Sequence, residues 1–203
     1  MAEHRIKHVA LGRHTLSPFD AAPRLLAARR ILLLGPCGSG KTTLARQLAQ
    51  LLELEPIHLD AEFWKPGWQP TPTPQWRNTV RELVQRDAWI MDGTYEGTLD
   101  LRIPAAQAAI VLDRPRWACL WNVLHRKRTL DDQNRPDAPP GQPIDRAYLR
   151  YIWRYPRDTH PLVVEALRKY GPHLTVVSLS GSRDPHRLVT ALRELRQDRK
   201  PVK

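Results

Sequence analysis

The run Gly35-Pro36-Cys37-Gly38-Ser39-Gly40-Lys41-Thr42 has the residue types and the spacing to hold phosphate. It fits the pattern G-x-x-x-x-G-K-[ST]. Glycines let the backbone turn tightly, so that successive N–H groups converge on phosphate oxygens. A helix beginning at Lys41 adds the positive end of its dipole. Lys41 is expected to reach the β- and γ-phosphates of a nucleoside triphosphate, and the Thr42 hydroxyl to ligate Mg²⁺. Pro36 and Cys37 fill free positions of the loop. Cys37 reads as a small filler, and the alternative is a redox-sensitive thiol, since a helix N-terminus lowers thiol pKa.

Carboxylates close three short apolar runs. Asp60 follows Ile57-His58-Leu59, Asp92 follows Trp89-Ile90-Met91, and Asp113 follows Ile110-Val111-Leu112. A carboxylate at a strand end beside a phosphate loop can hold Mg²⁺ directly or through water. Asp92-Gly93 has the expected form for that role. Asp60 can instead accept the proton of an attacking hydroxyl, with capping as its alternative. Asp113, before Arg114-Pro115, reads as a cap. Around Asp60, the aromatics Phe63, Trp64 and Trp68 either stack a flat ring and shield the reaction or close the core under a loop. Arg126, Lys127, Arg128, Arg146, Arg150, Arg154 and Arg157 flank an Asp/Pro/Gly-rich stretch at 131–143, and Arg135 lies inside it. Such a group can clamp transferring phosphates, form a solvated basic face, or form a basic-aromatic nucleic-acid surface.

These residues need a scaffold. Apolar runs at 31–35, 56–59, 88–91, 108–112 and 173–178 read as strands. Helical patterns occupy 41–53, 74–87, 115–130, 145–155, 159–170 and 184–197, with Thr73 as N-cap and Pro74 at the first position of the second. The alternation argues an α/β fold with a mostly parallel sheet, with ligands at the carboxyl ends of the strands. Trp117, Leu120, Trp121 and Leu124 are spaced as one helix face and are expected in the core. Residues 1–29 read as a basic, poorly ordered extension or a start-site artefact, 30–196 as the folded domain with a lid at about 126–146, and 197–203 as a polar tail.

Composition narrows the function. The 203 residues suit one domain with a modest insertion. Two cysteines, outside any C-x-x-C or Cys/His cluster, speak against a disulfide framework or structural zinc. With no long apolar run and no N-terminal h-region, a cytoplasmic protein without a membrane partner is expected. The formal net charge of +11 favours anionic partners, either nucleic acid or a polyphosphate substrate.

Several motifs recur together: the phosphate loop, His58-Leu59-Asp60, Phe63-Trp64-Lys65-Pro66-Gly67-Trp68, Trp89-Ile90-Met91-Asp92-Gly93, Thr98-Leu99-Asp100-Leu101-Arg102, Pro115-Arg116-Trp117 and Ile152-Trp153-Arg154-Tyr155-Pro156. As a set, from about Arg30 to Leu195, the chain resembles the adenylate-kinase-like P-loop proteins labelled "topology modulation protein". The resemblance implies a three-layer P-loop NTPase fold: a five-stranded parallel sheet, helices on both faces and a small Arg-bearing lid. It implies that Gly35 to Thr42, with Thr43, bind ATP-Mg²⁺, that Asp92 serves the metal, and that Arg126 and Arg128 are catalytic lid arginines. Asp60-x-x-Phe63-Trp64 is similar to the Asp-x-x-Phe-Tyr of uridine-type kinases, where the Asp is the base. Glu96-Gly97 stand where adenylate kinases carry Pro-Arg, so the AMP clamp is absent from the resemblance. The expected function is Mg-ATP-dependent phosphoryl transfer to a small nucleotide, nucleoside or other hydroxylated acceptor. The alternative is an ATP-switched nucleic-acid-binding regulator.

Overall fold

Strands β2 (Arg30–Leu34) and β7 (Ala108–Leu112) are buried on both faces, which is why they read as continuous apolar runs. The computed structural model describes residues 15–128 and 137–198. Its main sheet also contains β1 (Thr15–Leu16), β3 (Pro56–His58), β6 (Trp89–Asp92) and β8 (Thr175–Leu179). All pairings are parallel, in the order β1-β8-β7-β2-β6-β3. A two-stranded antiparallel hairpin, β4 (Trp64–Lys65) and β5 (Gln69–Pro70), stands apart.

Side chains alternate across each strand, and the two halves of β2 show the consequence. Ile31 and Leu33 join one buried cluster with Leu44 and Leu48 of α2 (Lys41–Leu52) and with Leu188 and Leu192 of α9 (Asp184–Asp198). Leu32 and Leu34 join the opposite cluster with Val80 of α4 (Thr73–Leu83), Ile103 of α5 (Leu99–Ala105) and Val163 of α8 (His160–Tyr170). Helices therefore cover both faces, as the alternation of runs predicts.

The sheet has six strands among the described residues where five were expected. The additional strand comes from the segment read as an extension. Thr15 and Leu16 pair with Val176 and Val177, and α1 (Pro18–Ala27) follows at once. Ser17 caps that helix by accepting from the Asp20 N–H, and Ala21, Ala22 and Leu25 are buried in the first cluster. An exposed Phe19 and an internal Pro23 hide the period of this helix in the sequence. Residues 1–14, the lid positions 129–136 with Arg135, and the tail residues 199–203 lie outside the described residues.

The expected core stripe on α6 (Arg116–Arg128) is a second correction. Trp117, Trp121 and Leu124 are 69%, 64% and 43% exposed, and the buried residues are Ala118, Cys119 and Val123. The reason is the closeness of α6 to the phosphate loop. A Cβ placed on Gly38 would collide with the Cys119 carbonyl and the Val123 side chain, so only small residues can face inward there. Cys119 and Val123 pack with Ile152 of α7 (Arg146–Asp158) in a third, small cluster.

Candidate functional site

The carboxyl ends of β2, β3 and β6 open on a cavity of about 710 Å³, a size suited to a nucleotide and a small partner. At its floor the phosphate loop wraps the start of α2. Gly38 and Gly40 take positive φ of 78° and 95°, the backbone state that glycine supplies. The Lys41 ammonium donates to the Pro36 carbonyl at 2.8 Å, and the Asn122 amide of α6 donates to the Gly38 carbonyl at 2.9 Å. Ser39 Oγ is buried without a hydrogen-bond partner among the described residues.

Asp92 ends β6 and stands between two donors. The Thr42 hydroxyl donates to its Oδ2 at 2.7 Å, and His58 Nδ1 lies 2.7 Å from its Oδ1. An ionised carboxylate only accepts, so Nδ1 carries the proton. Among the described residues no group of three or more His, Cys, Asp or Glu side chains could cage a metal alone. The donor set therefore suits Mg²⁺, which keeps several waters and takes one or two protein oxygens beside substrate phosphates. Thr42 and Asp92 are the side chains placed to supply such oxygens.

Asp60 sits on the first turn of α3 (Leu59–Phe63), one residue beyond the expected strand, and lines the same cavity. The Tyr95 hydroxyl donates to its Oδ1 at 2.6 Å. Burial, with the Asp60 charge adding to it, pushes the Tyr95 phenol far above its usual range, so it remains a donor. Asp113 does not line the cavity; its N–H donates to the Leu179 carbonyl at 3.0 Å.

The aromatic loop divides between its two readings. Phe63 packs on Trp76 and Tyr95, with centroids 5.2 and 5.0 Å apart, and closes the core. Trp64 and Trp68 line the cavity, 5.4 Å apart and tilted. The Trp68 indole N–H donates to the Pro140 carbonyl, which ties the hairpin to the far wall. That wall is held further by Arg126, whose guanidinium donates to Gln142 at 2.8 Å, and by Asp137, paired with Arg46 at 2.8 Å. Arg128 is exposed on the last turn of α6 and does not line the cavity. Arg154 binds Asp158. Burial pushes the Cys37 thiol up, against the lowering by Lys41, which favours a protonated loop filler over a reactive thiolate.

Three residues that sequence reasoning gave no role hold the site. Thr94 Oγ1 accepts from the Gly35 N–H at 3.1 Å and donates to the Gly35 carbonyl at 2.7 Å, clamping the first glycine of the loop. Tyr95 adopts φ 34°, a strained conformation for a bulky residue. Arg102 over-determines it. This guanidinium is fully buried and donates to the carbonyls of Gly93, Thr94 and Tyr95 and to Thr98 Oγ1. Burial pulls it below its usual range, to about 9.

With the geometry in hand, likeness to solved structures decides the fold. The chain aligns over 89% of its length with 99% of a shikimate kinase from Acinetobacter baumannii in complex with shikimate, at 20% identity and a TM-score of 0.51. The fold is that of a P-loop kinase. A sugar kinase from a Janibacter species aligns with 85% of the chain and 96% of its own, at 18% identity and a TM-score of 0.50. No protein-family model matches. Among curated proteins, a shikimate kinase of Rhodococcus erythropolis is 39% identical over 66 residues, 29% of this chain. Another, of Histophilus somni, is 59% identical over 35 residues, 17% of this chain. The matched stretches span 38% and 20% of those two relatives. No described helix is long and apolar enough to cross a membrane.

Proposed function

We propose that this P-loop kinase fold is an active phosphotransferase that moves the γ-phosphoryl group of Mg-ATP to a hydroxyl of a small molecule. The observation that carries the reading is the sharing of one cavity by the phosphate loop, the hydrogen-bonded pair Thr42 and Asp92, and Asp60. Lys41 and the loop N–H groups hold the β- and γ-phosphates. Mg²⁺, when bound on Thr42 and Asp92, supplies positive charge against the phosphate oxygens. Asp60 takes the acceptor's hydroxyl proton as that oxygen bonds phosphorus and the bond to the leaving ADP breaks. Arg126 is the lid cation among the described cavity-lining residues. The described residues from 15 to 198 form the kinase domain, because β1 and α1 belong to its sheet and core, and 126–146 is its lid. The motif set keeps the topology-modulation-type kinase-like proteins as the family we assign.

Calorimetry tests the first half. Mg-ATP is expected to bind the wild type, and Lys41→Ala to weaken it by about 10- to 100-fold, because a charge-assisted hydrogen bond contributes about 1.5–3 kcal/mol. Equal affinity in the two proteins would sink the assignment.

One surface favours the second reading, an ATP-switched nucleic-acid binder. Exposed Trp117, Trp121 and Trp153 lie on α6 and α7, and the Arg116 guanidinium stacks 4.0 Å above Trp153. Bases of a single strand stack on such surfaces. That reading predicts tryptophan quenching by an oligonucleotide with a steep salt slope, which Trp117→Ala and Trp121→Ala together reduce. Titration without quenching at low salt removes it.

A further inference from the structure

Backbone strain marks two places in the wall of the cavity. Among the described residues, three that are not glycine take positive φ: Glu53, Trp68 and Tyr95. Glu53 caps the C-terminus of α2, an ordinary use of that conformation. Trp68 at 59° and Tyr95 at 34° are bulky aromatics, for which the conformation is an outlier, and both line the cavity. Strain of this kind gathers at sites where the surrounding structure aims a side chain at a ligand.

Arg102 holds Tyr95 in place, and the hairpin does the same for Trp68. Thr71 closes the hairpin's base, donating to the Phe63 carbonyl from its N–H at 3.0 Å and from its hydroxyl at 2.6 Å. Gly67 makes the turn at φ 75°, and the Trp68 indole N–H reaches the Pro140 carbonyl at 2.9 Å. Trp64 of β4 meets Trp68 with centroids 5.4 Å and planes 48° apart, a wedge rather than a stack. Core closure falls instead to Phe63, against Trp76 and Tyr95. The wedge is also tied to Asp60. Asp60 and Trp64 stand four residues apart across α3, on one side of that turn, and both line the cavity. A molecule with its hydroxyl at Asp60 therefore has its remaining atoms beside the two indoles. Indole faces favour other flat faces, either the plane of a base or the C–H face of a saturated ring.

Resting on the kinase reading, we infer that Trp64 and Trp68 are the acceptor platform. The acceptor carries a flat ring face that packs in the wedge while its hydroxyl lies at Asp60. Trp68 is the specificity determinant, because Trp64 is also packed edge-on against Phe63 at 4.9 Å and so serves the core as well. A base and a sugar ring share this chemistry, and an open-chain polyol with the same hydroxyls lacks it.

Two matched arms test it, uridine against ribitol and glucose against sorbitol, with phosphorylated product read by mass. In at least one arm the ring compound is expected to exceed its open-chain match by about 10- to 100-fold in kcat/KM. The arm that responds tells base from sugar ring. Trp68→Ala is expected to raise KM for that ring compound by about tenfold while Mg-ATP affinity stays within about twofold. Trp68→Phe keeps a flat face and gives up the bond to Pro140, and is expected to hold KM within about threefold of wild type. A loss in Trp68→Phe equal to that in Trp68→Ala would make the indole a latch on Pro140 and overturn the platform. Equal use of ring and open-chain compounds overturns it too, as does an unchanged KM in Trp68→Ala. Lost Mg-ATP affinity in Trp68→Ala would place the wedge at the nucleotide instead, and transfer to none of the four by a protein that binds Mg-ATP also rejects the platform. A wild type that does not bind Mg-ATP overturns the kinase reading itself, and the platform with it.

Discussion

Asp60→Asn is expected to leave Mg-ATP affinity within about twofold and to lower turnover by about 10³-fold, the middle of the range for loss of a general base. The substitution keeps size and one accepting oxygen, so the Tyr95 hydroxyl retains a partner where it now donates at 2.6 Å. What disappears is the charge proposed to take the hydroxyl proton. Asp60 lies on α3 and not in the phosphate loop, and Lys41, Thr42 and Asp92 keep their contacts. Binding and chemistry should therefore separate. Calorimetry with Mg-ATP, and steady-state turnover with a hydroxylated acceptor found by screening for ATP consumption, measure the two. Wild-type turnover in the variant would remove Asp60 from the base role. A parallel loss of ATP affinity would instead place it in the nucleotide site.

The contrast between Asp60 and its surroundings shows what a sequence can carry. The phosphate loop was legible because its chemistry is local: glycines, Lys41 and Thr42 act through their own backbone and through the helix that follows. The place of Asp92 at the end of β6 was legible because an apolar strand ending in a carboxylate is a local signal too. The α6 stripe was misread because burial there is decided by a neighbour. Gly38 approaches Cys119 so closely that Ala118 and Cys119 must face inward, and the tryptophans are left outside. Residues 15–27 were misread for a related reason. A two-residue strand has too few positions to show a period, and its place is fixed by pairing with β8. Thr94 and Tyr95 carry no motif of their own, and their roles exist only through contacts with Gly35 and Asp60, 59 and 35 residues away in the chain.

Arg102 is the extreme case, and its removal is the largest stability change expected. Arg102→Met keeps the volume and takes away the donors. Two effects oppose each other. Losing a buried guanidinium recovers its desolvation cost, which can make replacement of a buried charge neutral when its partners are replaced as well. Here the partners are the backbone carbonyls of Gly93, Thr94 and Tyr95, which no side-chain change can remove. The Tyr95 carbonyl keeps the Thr98 N–H and hydroxyl as donors, both at 3.0 Å. Those of Gly93 and Thr94 are left without a donor among the described residues, each at a cost of about 1–3 kcal/mol, so the unsatisfied groups win, with a net loss of about 2–4 kcal/mol. For a domain of this size each kcal/mol lowers Tm by about 2–4 °C, which predicts a fall of about 10 °C by circular dichroism. Arg102→Lys should recover less than half of it, since one ammonium on a flexible stem cannot span a fork of three carbonyls. The strained Tyr95 at φ 34° should relax in both variants, releasing the hydroxyl from Asp60 and lowering turnover even at temperatures where the protein remains folded. A Tm within about 2 °C of wild type for Arg102→Met would mean that the segment from Gly93 to Tyr95 finds other donors, and that Arg102 is not what holds the base in place.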